Sequence, residues 1–192
     1  MKLKVASLFS GAGGLDLGFK KAGHRIVWAN DIDLDSTLTY KKNVGKEIIC
    51  ANIADIEANK LPEFDILVGG FPCQGFSRAN IHRVTKDERN SLYVHVVRIL
   101  RERTPKFFLL ENVKGIISLN GGNDFREIIL ALEESGYFVQ HKVVNAADYG
   151  VPQNRLRVII VGVRNDISDK YEYVFPKPTH SKDGCVGMRC IS

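Results

Sequence analysis

The 192 residues predict an α/β fold, a doubly wound and mostly parallel sheet with an antiparallel closing pair of strands. Three observations carry that expectation. Short apolar runs alternate with amphipathic helical stretches, the pattern of strands joined by crossover helices. Glycine-rich turns follow two of the runs, at residues 11–14 and 69–75. Residues able to bear chemistry fall just after separate predicted strands, at Asp31, Cys73 and Glu111.

Each element has its own signal. Residues 5–9 are a short apolar run, and the glycine turn after them opens a helix over about 14–22. A second strand is expected over 25–30, a helix over 33–43, a third short strand over 47–50 and a fourth over 65–69. A helix follows over about 91–103, where Leu92, Val96, Ile99 and Leu100 share one face. The fifth strand covers 106–110. Phe125, Ile128, Ile129 and Leu132 mark another amphipathic helix, stopped by Gly136. Strands over 137–145 and 156–163 complete the set. In such sheets ligands bind beyond the carboxyl ends of the strands. Residues 9–14, Asp31, Cys73 and Glu111 are therefore expected on one rim.

A chain of this length forms one domain, burying roughly 70% of its extended surface. Hydrophobic content of 44% and charged content of 26% fit a globular protein and argue against a disordered one. Apolar runs fall far short of the ~20 residues that span a bilayer. The N-terminus lacks a signal-peptide pattern, so a cytoplasmic location without membrane contact is expected. A net charge of +5 permits nucleic-acid binding without requiring it. Cys50, Cys73, Cys185 and Cys190 match neither a zinc pattern nor a disulfide framework, so no metal is expected and all four read as thiols.

The run Gly69-Gly70-Phe71-Pro72-Cys73-Gln74-Gly75-Phe76-Ser77 sets one cysteine in a tight turn after a strand. A cysteine so placed can act as a nucleophile, although most free cysteines are inert packing groups. Two further segments accompany it. One is Ser7-Leu8-Phe9-Ser10-Gly11-Ala12-Gly13-Gly14-Leu15-Asp16-Leu17-Gly18-Phe19, and the other is Glu111-Asn112-Val113. The glycine segment is no dinucleotide fingerprint, because Asp16 stands where its third glycine belongs. In this order the three segments resemble the DNA cytosine-5 methyltransferase family. The stretch from Asn145 through Gln153-Asn154-Arg155-Leu156-Arg157 extends the resemblance.

The resemblance implies a Rossmann-like fold dependent on S-adenosylmethionine, and transfer of its methyl group to C5 of cytosine in DNA. Phe9, Ser10, Gly11, Gly13, Gly14 and Leu15 would hold the methyl donor, with Phe9 against adenine. Asp31 would accept from the ribose hydroxyls, one methylene shorter than the Glu more usual there. Ile32, Asn52, Ile53, Pro72 and Leu92 would complete the donor site. Asn52 replaces a usual Asp, which keeps an acceptor and loses a charge. Cys73 would add to C6 as a thiolate. Glu111 would hydrogen-bond the cytosine ring as an acid kept protonated by burial. Strand alternation would set Gln153, Arg155 and Arg157 on one face, with Arg155 and Arg157 catalytic. Gln74, Ser77, Asn112 and Gln153 would bind substrate, the target base being flipped out of duplex DNA.

Residues 1–180 are expected to form the cofactor-binding and catalytic domain, and 181–192 a short tail where a target-recognition domain begins in the family. The chain is thus expected to be completed by a second polypeptide, to be a truncated product, or to persist as a remnant that binds cofactor or DNA. A tRNA cytosine-5 methyltransferase is a further reading. Restriction-linked and other roles stay open.

Overall fold

The computed structural model describes residues 2–72, 92–171 and 173–180. Seven strands form one sheet in the order β3-β2-β1-β4-β5-β7-β6. They are β1 (Lys4–Leu8), β2 (Arg25–Asp31), β3 (Ile48–Cys50), β4 (Ile66–Gly69), β5 (Phe107–Val113), β6 (Tyr137–Asn145) and β7 (Leu156–Arg164). Strands β1 to β5 pair in parallel, and β7 runs antiparallel to both β5 and β6. The expected doubly wound sheet with its antiparallel closing pair is present, and β7 lies between its two partners.

Alternation along the strands divides the core. Val5, Ile66, Val68, Phe107 and Leu109 face α1 (Gly14–Lys21) and α2 (Leu34–Asn43), with Tyr40 and Val44 buried among them. Ala6, Leu67, Phe108, Leu110 and Ile160 face α3 (Tyr93–Arg103) and α4 (Asn123–Glu133). The helix expected from residue 91 begins at Tyr93 and buries Val96, Val97, Ile99 and Leu100. Helix α2 is capped by Asp33, whose carboxylate accepts from the Ser36 amide. A single turn, α5 (Asn165–Ser168), ends the described helices. None of these is long and apolar enough to cross a membrane.

Two departures from expectation touch the rim. Strand β5 continues to Val113, so Glu111 and Asn112 lie inside a strand rather than after it. Strand β7 begins at Leu156 as expected, which leaves Gln153 and Arg155 outside the ladder, so the alternation argument fails for them. The Asn145 side chain explains this. Its Oδ1 accepts from the Arg155 amide at 2.9 Å and its Nδ2 donates to Asn154 Oδ1 at 3.0 Å. Side-chain bonds take over there beside one remaining backbone bond, from the Ala146 amide to the Arg155 carbonyl at 3.0 Å.

The order of the sheet fixes where a ligand can enter. The chain leaves β1 toward β2 and β3, then returns to β4 on the other side of β1. The crevice beyond the carboxyl ends of β1 and β4 is the switch point where doubly wound sheets bind ligands.

Candidate active site at the sheet switch point

Two cavities adjoin at that crevice and share Phe9 and Gly70 in their walls. The smaller, about 190 Å³, is lined by Phe9, Asn30, Asp31, Ile32, Ala51, Asn52, Ile53, Gly70, Pro72 and Leu92. The larger, about 400 Å³, is lined by residues 7–10, Gly14, Leu15, Gly70, Glu111 and Arg155. The carboxyl ends of β1 to β5 supply most of these residues, with Leu92 from the start of α3 and Arg155 from just before β7. Phe9, Asp31 and Glu111 thus converge as expected, while Cys73 lies outside the described residues.

The turn between β1 and α1 is built on left-handed backbone. Gly11 has φ +52° and Gly13 φ +91°, conformations glycine adopts without steric cost. Phe9 takes φ +52° despite its side chain, a strained position directly between the two cavities. Gly13 corrects an expectation. A Cβ there would lie 2.5 Å from Val44 Cγ2 and 2.7 Å from Tyr40 Cδ2, so its missing side chain makes room for α2 and not for a ligand. The Gly11 amide turns to Asp31, donating to Oδ2 at 2.7 Å.

Asp31 thereby becomes a fixed acceptor. Its second oxygen accepts from the Asp33 amide at 2.9 Å. A carboxylate has about four lone-pair positions, so acceptor capacity remains toward the cavity. Beside it, the buried Asn30 donates from Nδ2 to the Ala51 carbonyl at 2.8 Å, while its Oδ1 has no partner among the described residues. An orphaned acceptor in the wall of a cavity is a place for a ligand or water to donate. Asn52 Oδ1 caps the following 3₁₀ turn through the Ala54 amide at 3.0 Å. The small cavity therefore combines apolar side chains with acceptors at one rim, a lining suited to a nucleoside.

The larger cavity is the more charged. Arg157 Nε lies 2.7 Å from Glu111 Oε1, and both side chains are partly buried. Arg157 also donates to the Leu156 carbonyl at 2.8 Å. A Cβ on Gly70 would stand 3.3 Å from Glu111 Oε2, so the glycine lets that carboxyl approach the β4 end closely. Glu111 is thus half of an ion pair and partly open, unlike the secluded acid expected. Arg155 shares the cavity wall with it and is exposed.

Other expected residues are placed differently. Asn112 is 3% exposed, donates to the Phe71 carbonyl at 2.8 Å and accepts from the Val113 amide. It braces the segment that carries Pro72. Gln153 is exposed and lines neither cavity. Cys73, Gln74 and Ser77 lie outside the described residues, as do Cys185 and Cys190. The residues missed from sequence are Ser7, Leu8, Asn30, Ala51 and Gly70. Asn30 had one available signal, its place immediately before Asp31 at a strand end.

Comparison with known proteins gives the family and the fold. A family model described as C-5 cytosine-specific DNA methylase matches residues 3–185. The type II methyltransferase M.NgoFVII of Neisseria gonorrhoeae is 43% identical over 98% of this chain and 50% of its own length. M.FnuDI of Fusobacterium nucleatum is 45% identical over 94% of this chain and 52% of its own. Among solved structures, a putative DNA modification methyltransferase encoded within an E. coli prophage is similar, with TM-score 0.73 and 32% identity over 87% of this chain and 48% of that one. Spodoptera frugiperda DNMT2 gives TM-score 0.71 at 27% identity, over 86% and 51%. The chain spans about half the length of these relatives.

Proposed function

Because this chain belongs to the C-5 cytosine-specific DNA methylase family, we propose that it holds S-adenosylmethionine and carries the residues that methylate cytosine at C5 in duplex DNA. The observation that carries the reading is the pair of joined cavities at the switch point. One is lined for a nucleoside, and the other is lined by Arg155 and by Glu111, whose carboxyl is paired with Arg157.

Asp31 accepts from ribose hydroxyls, with its orientation set by the Gly11 and Asp33 amides. Phe9, Ile32, Ile53, Pro72 and Leu92 enclose the purine, and Asn30 and Asn52 offer polar contacts at its edge. Phe9, Ser10, Gly14 and Leu15 wall the space for the methionine portion. When bound, the donor supplies an electrophilic methyl group on a sulfonium.

On the cytosine side, the Cys73 thiolate adds to C6 and forms a carbon–sulfur bond. The ring electrons move to C5, which takes the methyl group and leaves a neutral thioether. A base, water being sufficient, then removes the C5 proton, and elimination of the Cys73 thiolate restores the ring. Covalent attack divides one difficult substitution into easier steps. Glu111 hydrogen-bonds the pyrimidine edge while Arg157 fixes its carboxyl, and Arg155 lies beside the base. Gln74, Ser77 and Gln153 contact the extruded nucleotide.

Residues 1–180 serve as the catalytic portion and 181–192 lead toward sequence recognition. The further half present in the relatives, joined in cis or carried on a second polypeptide, selects the DNA site. A cytoplasmic restriction–modification role fits the type II relatives.

The test incubates the chain, alone and combined with the complementary half of a type II relative, with tritiated S-adenosylmethionine and duplex DNA. Label should enter C5 of cytosine in the combined sample, and Cys73→Ser should abolish both labelling and trapping on 5-fluorocytosine DNA. Labelling that survives Cys73→Ser would sink the reading.

A further inference from the structure

Beneath the glycine turn lies a buried carboxylate that the reaction does not use. Asp16, in the first turn of α1, is 0% exposed. Its Oδ1 accepts from Ser7 Oγ at 2.6 Å and its Oδ2 from the Tyr40 hydroxyl at 2.6 Å. Ser10 Oγ donates in turn to Ser7 Oγ at 2.9 Å. Ser7 and Tyr40 donate directly to Asp16, and Ser10, which also reaches the Ser7 carbonyl at 3.3 Å, donates to Ser7 Oγ, a polarity that suits a carboxylate acceptor. Ser7 and Ser10 also line the larger cavity, so one hydrogen bond separates the carboxylate from the cavity wall.

Among the described residues no Lys, Arg or His forms an ion pair with Asp16. Burial pushes its carboxyl up from the ordinary value, and the Ser7 and Tyr40 hydrogen bonds pull it back down. An ionised group without a counter-ion is costly in a protein interior. With its proton engaged on Ser7, Ser10 Oγ keeps its lone pairs for a further partner, and both serines belong to the cavity lining. The cavity wall is therefore set for positive charge.

We propose that Asp16 is a specificity-determining residue of the donor site, acting through Ser7 and Ser10 to favour a cationic ligand over a neutral one of the same shape. The inference rests on the reading that the larger cavity takes the methionine part of the donor. Methyl transfer turns the sulfonium into an uncharged thioether, so this charge distinguishes donor from spent product. It binds the donor without any contact to the reacting atoms.

A purely structural role gives a different outcome. If Asp16 only fastens α1 to β1 and α2, its replacement weakens all ligands alike. Titration calorimetry on the full chain should therefore compare S-adenosylmethionine, its stable ammonium analogue sinefungin, and S-adenosylhomocysteine. Asp16→Asn keeps the shape and removes the charge. It should weaken the two cations by roughly five- to thirtyfold, the scale of one unit charge acting at about 8–17 Å in an effective dielectric near 20. The thioether should change less than about twofold, while Tyr40→Phe, which keeps the carboxylate, should hold the cation-to-thioether ratio near wild type. Equal loss for all three ligands, or no loss, overturns the proposal. If Asp16→Asn does not fold by circular dichroism, Asp16→Ser makes the same charge deletion and its ratio decides. Wild-type chain that binds none of the three would instead refute the donor-site reading.

Discussion

Arg157 sits opposite Val113 in the β5–β7 ladder, yet its guanidinium pairs with Glu111 two residues away, at 2.7 Å. This diagonal reach draws a charge from the antiparallel strand onto a carboxyl of the parallel one. Partial exposure on both sides limits what the pair contributes to folding. Arg157→Ala is therefore expected to cost no more than about 1 kcal/mol in urea unfolding. Trapping on 5-fluorocytosine DNA, in the combined assembly that methylates, should slow on the order of a hundredfold, the usual loss for one oriented donor. Arg157→Lys should recover little of it, since an ammonium cannot reproduce the planar fork. An unfolding change much larger than the trapping change would make the pair structural.

The glycines of the β1–α1 turn separate into two kinds. Gly13 combines φ +91° with a Cβ position already occupied by Tyr40 and Val44. Gly13→Ala is expected to destabilise by about 2–4 kcal/mol, adding left-handed strain to overpacking. Gly18 lies inside α1 with open space around it. Gly18→Ala should stabilise by about 0.5–1 kcal/mol, the helix-propensity difference. Urea midpoints of the two variants should move in opposite directions, and a shared direction would contradict the packing argument.

Most of the frame was legible because it depends on local pattern. The β6 boundaries, Tyr137–Asn145, were expected residue for residue, since turn signals flank an apolar run on both sides. The rim was legible too, as strand order in a wound sheet brings the carboxyl ends together. What periodicity could not show were the 3₁₀ turns at Ile53–Asp55 and Ala58–Lys60, too short to carry a period. Nor could it show pairings made across the fold. Gly13 read as room for a ligand because Tyr40, 27 positions later, had no visible relation to it. Asp16 read only as a failed fingerprint position, its burial being settled by that same tyrosine.

Asn52 offers a gain of affinity. Its Oδ1 is engaged by the Ala54 amide, which leaves an amino group as the freer part of its side chain in the small cavity. A purine bearing an exocyclic amine presents donors of its own and needs an acceptor there. Asn52→Asp keeps the cap and exchanges the amino group for a charged acceptor. Calorimetry should show S-adenosylmethionine binding tighter by about three- to tenfold, the scale of one charge-assisted hydrogen bond partly exposed to water. Asn52→Ala should lose the cap and about 1 kcal/mol of stability. Affinity unchanged by Asn52→Asp would place the adenine edge elsewhere.

Acid stability should report two carboxyls of opposite sign. Asp65 accepts from Lys106 Nζ at 2.8 Å and from the Lys4 amide at 3.0 Å, and these hold its carboxyl below the ordinary value. The folded state then binds fewer protons there than the unfolded chain. Its contribution is present above the ordinary carboxylate pKa and fades as pH falls through the lowered one. With the pair partly exposed, that contribution is about 0.5–1 kcal/mol after solvent screening. Asp16 runs the other way, because burial raises its carboxyl and its contribution weakens as pH rises above the ordinary value. In urea titrations across the acid range, Asp65→Asn should be less stable than wild type near neutrality and converge with it in strong acid. Asp16→Asn should shift the opposite way, comparing worst with wild type in acid and improving relative to it as pH rises. Parallel curves for either variant would mean that its carboxyl titrates alike in the folded and unfolded chain.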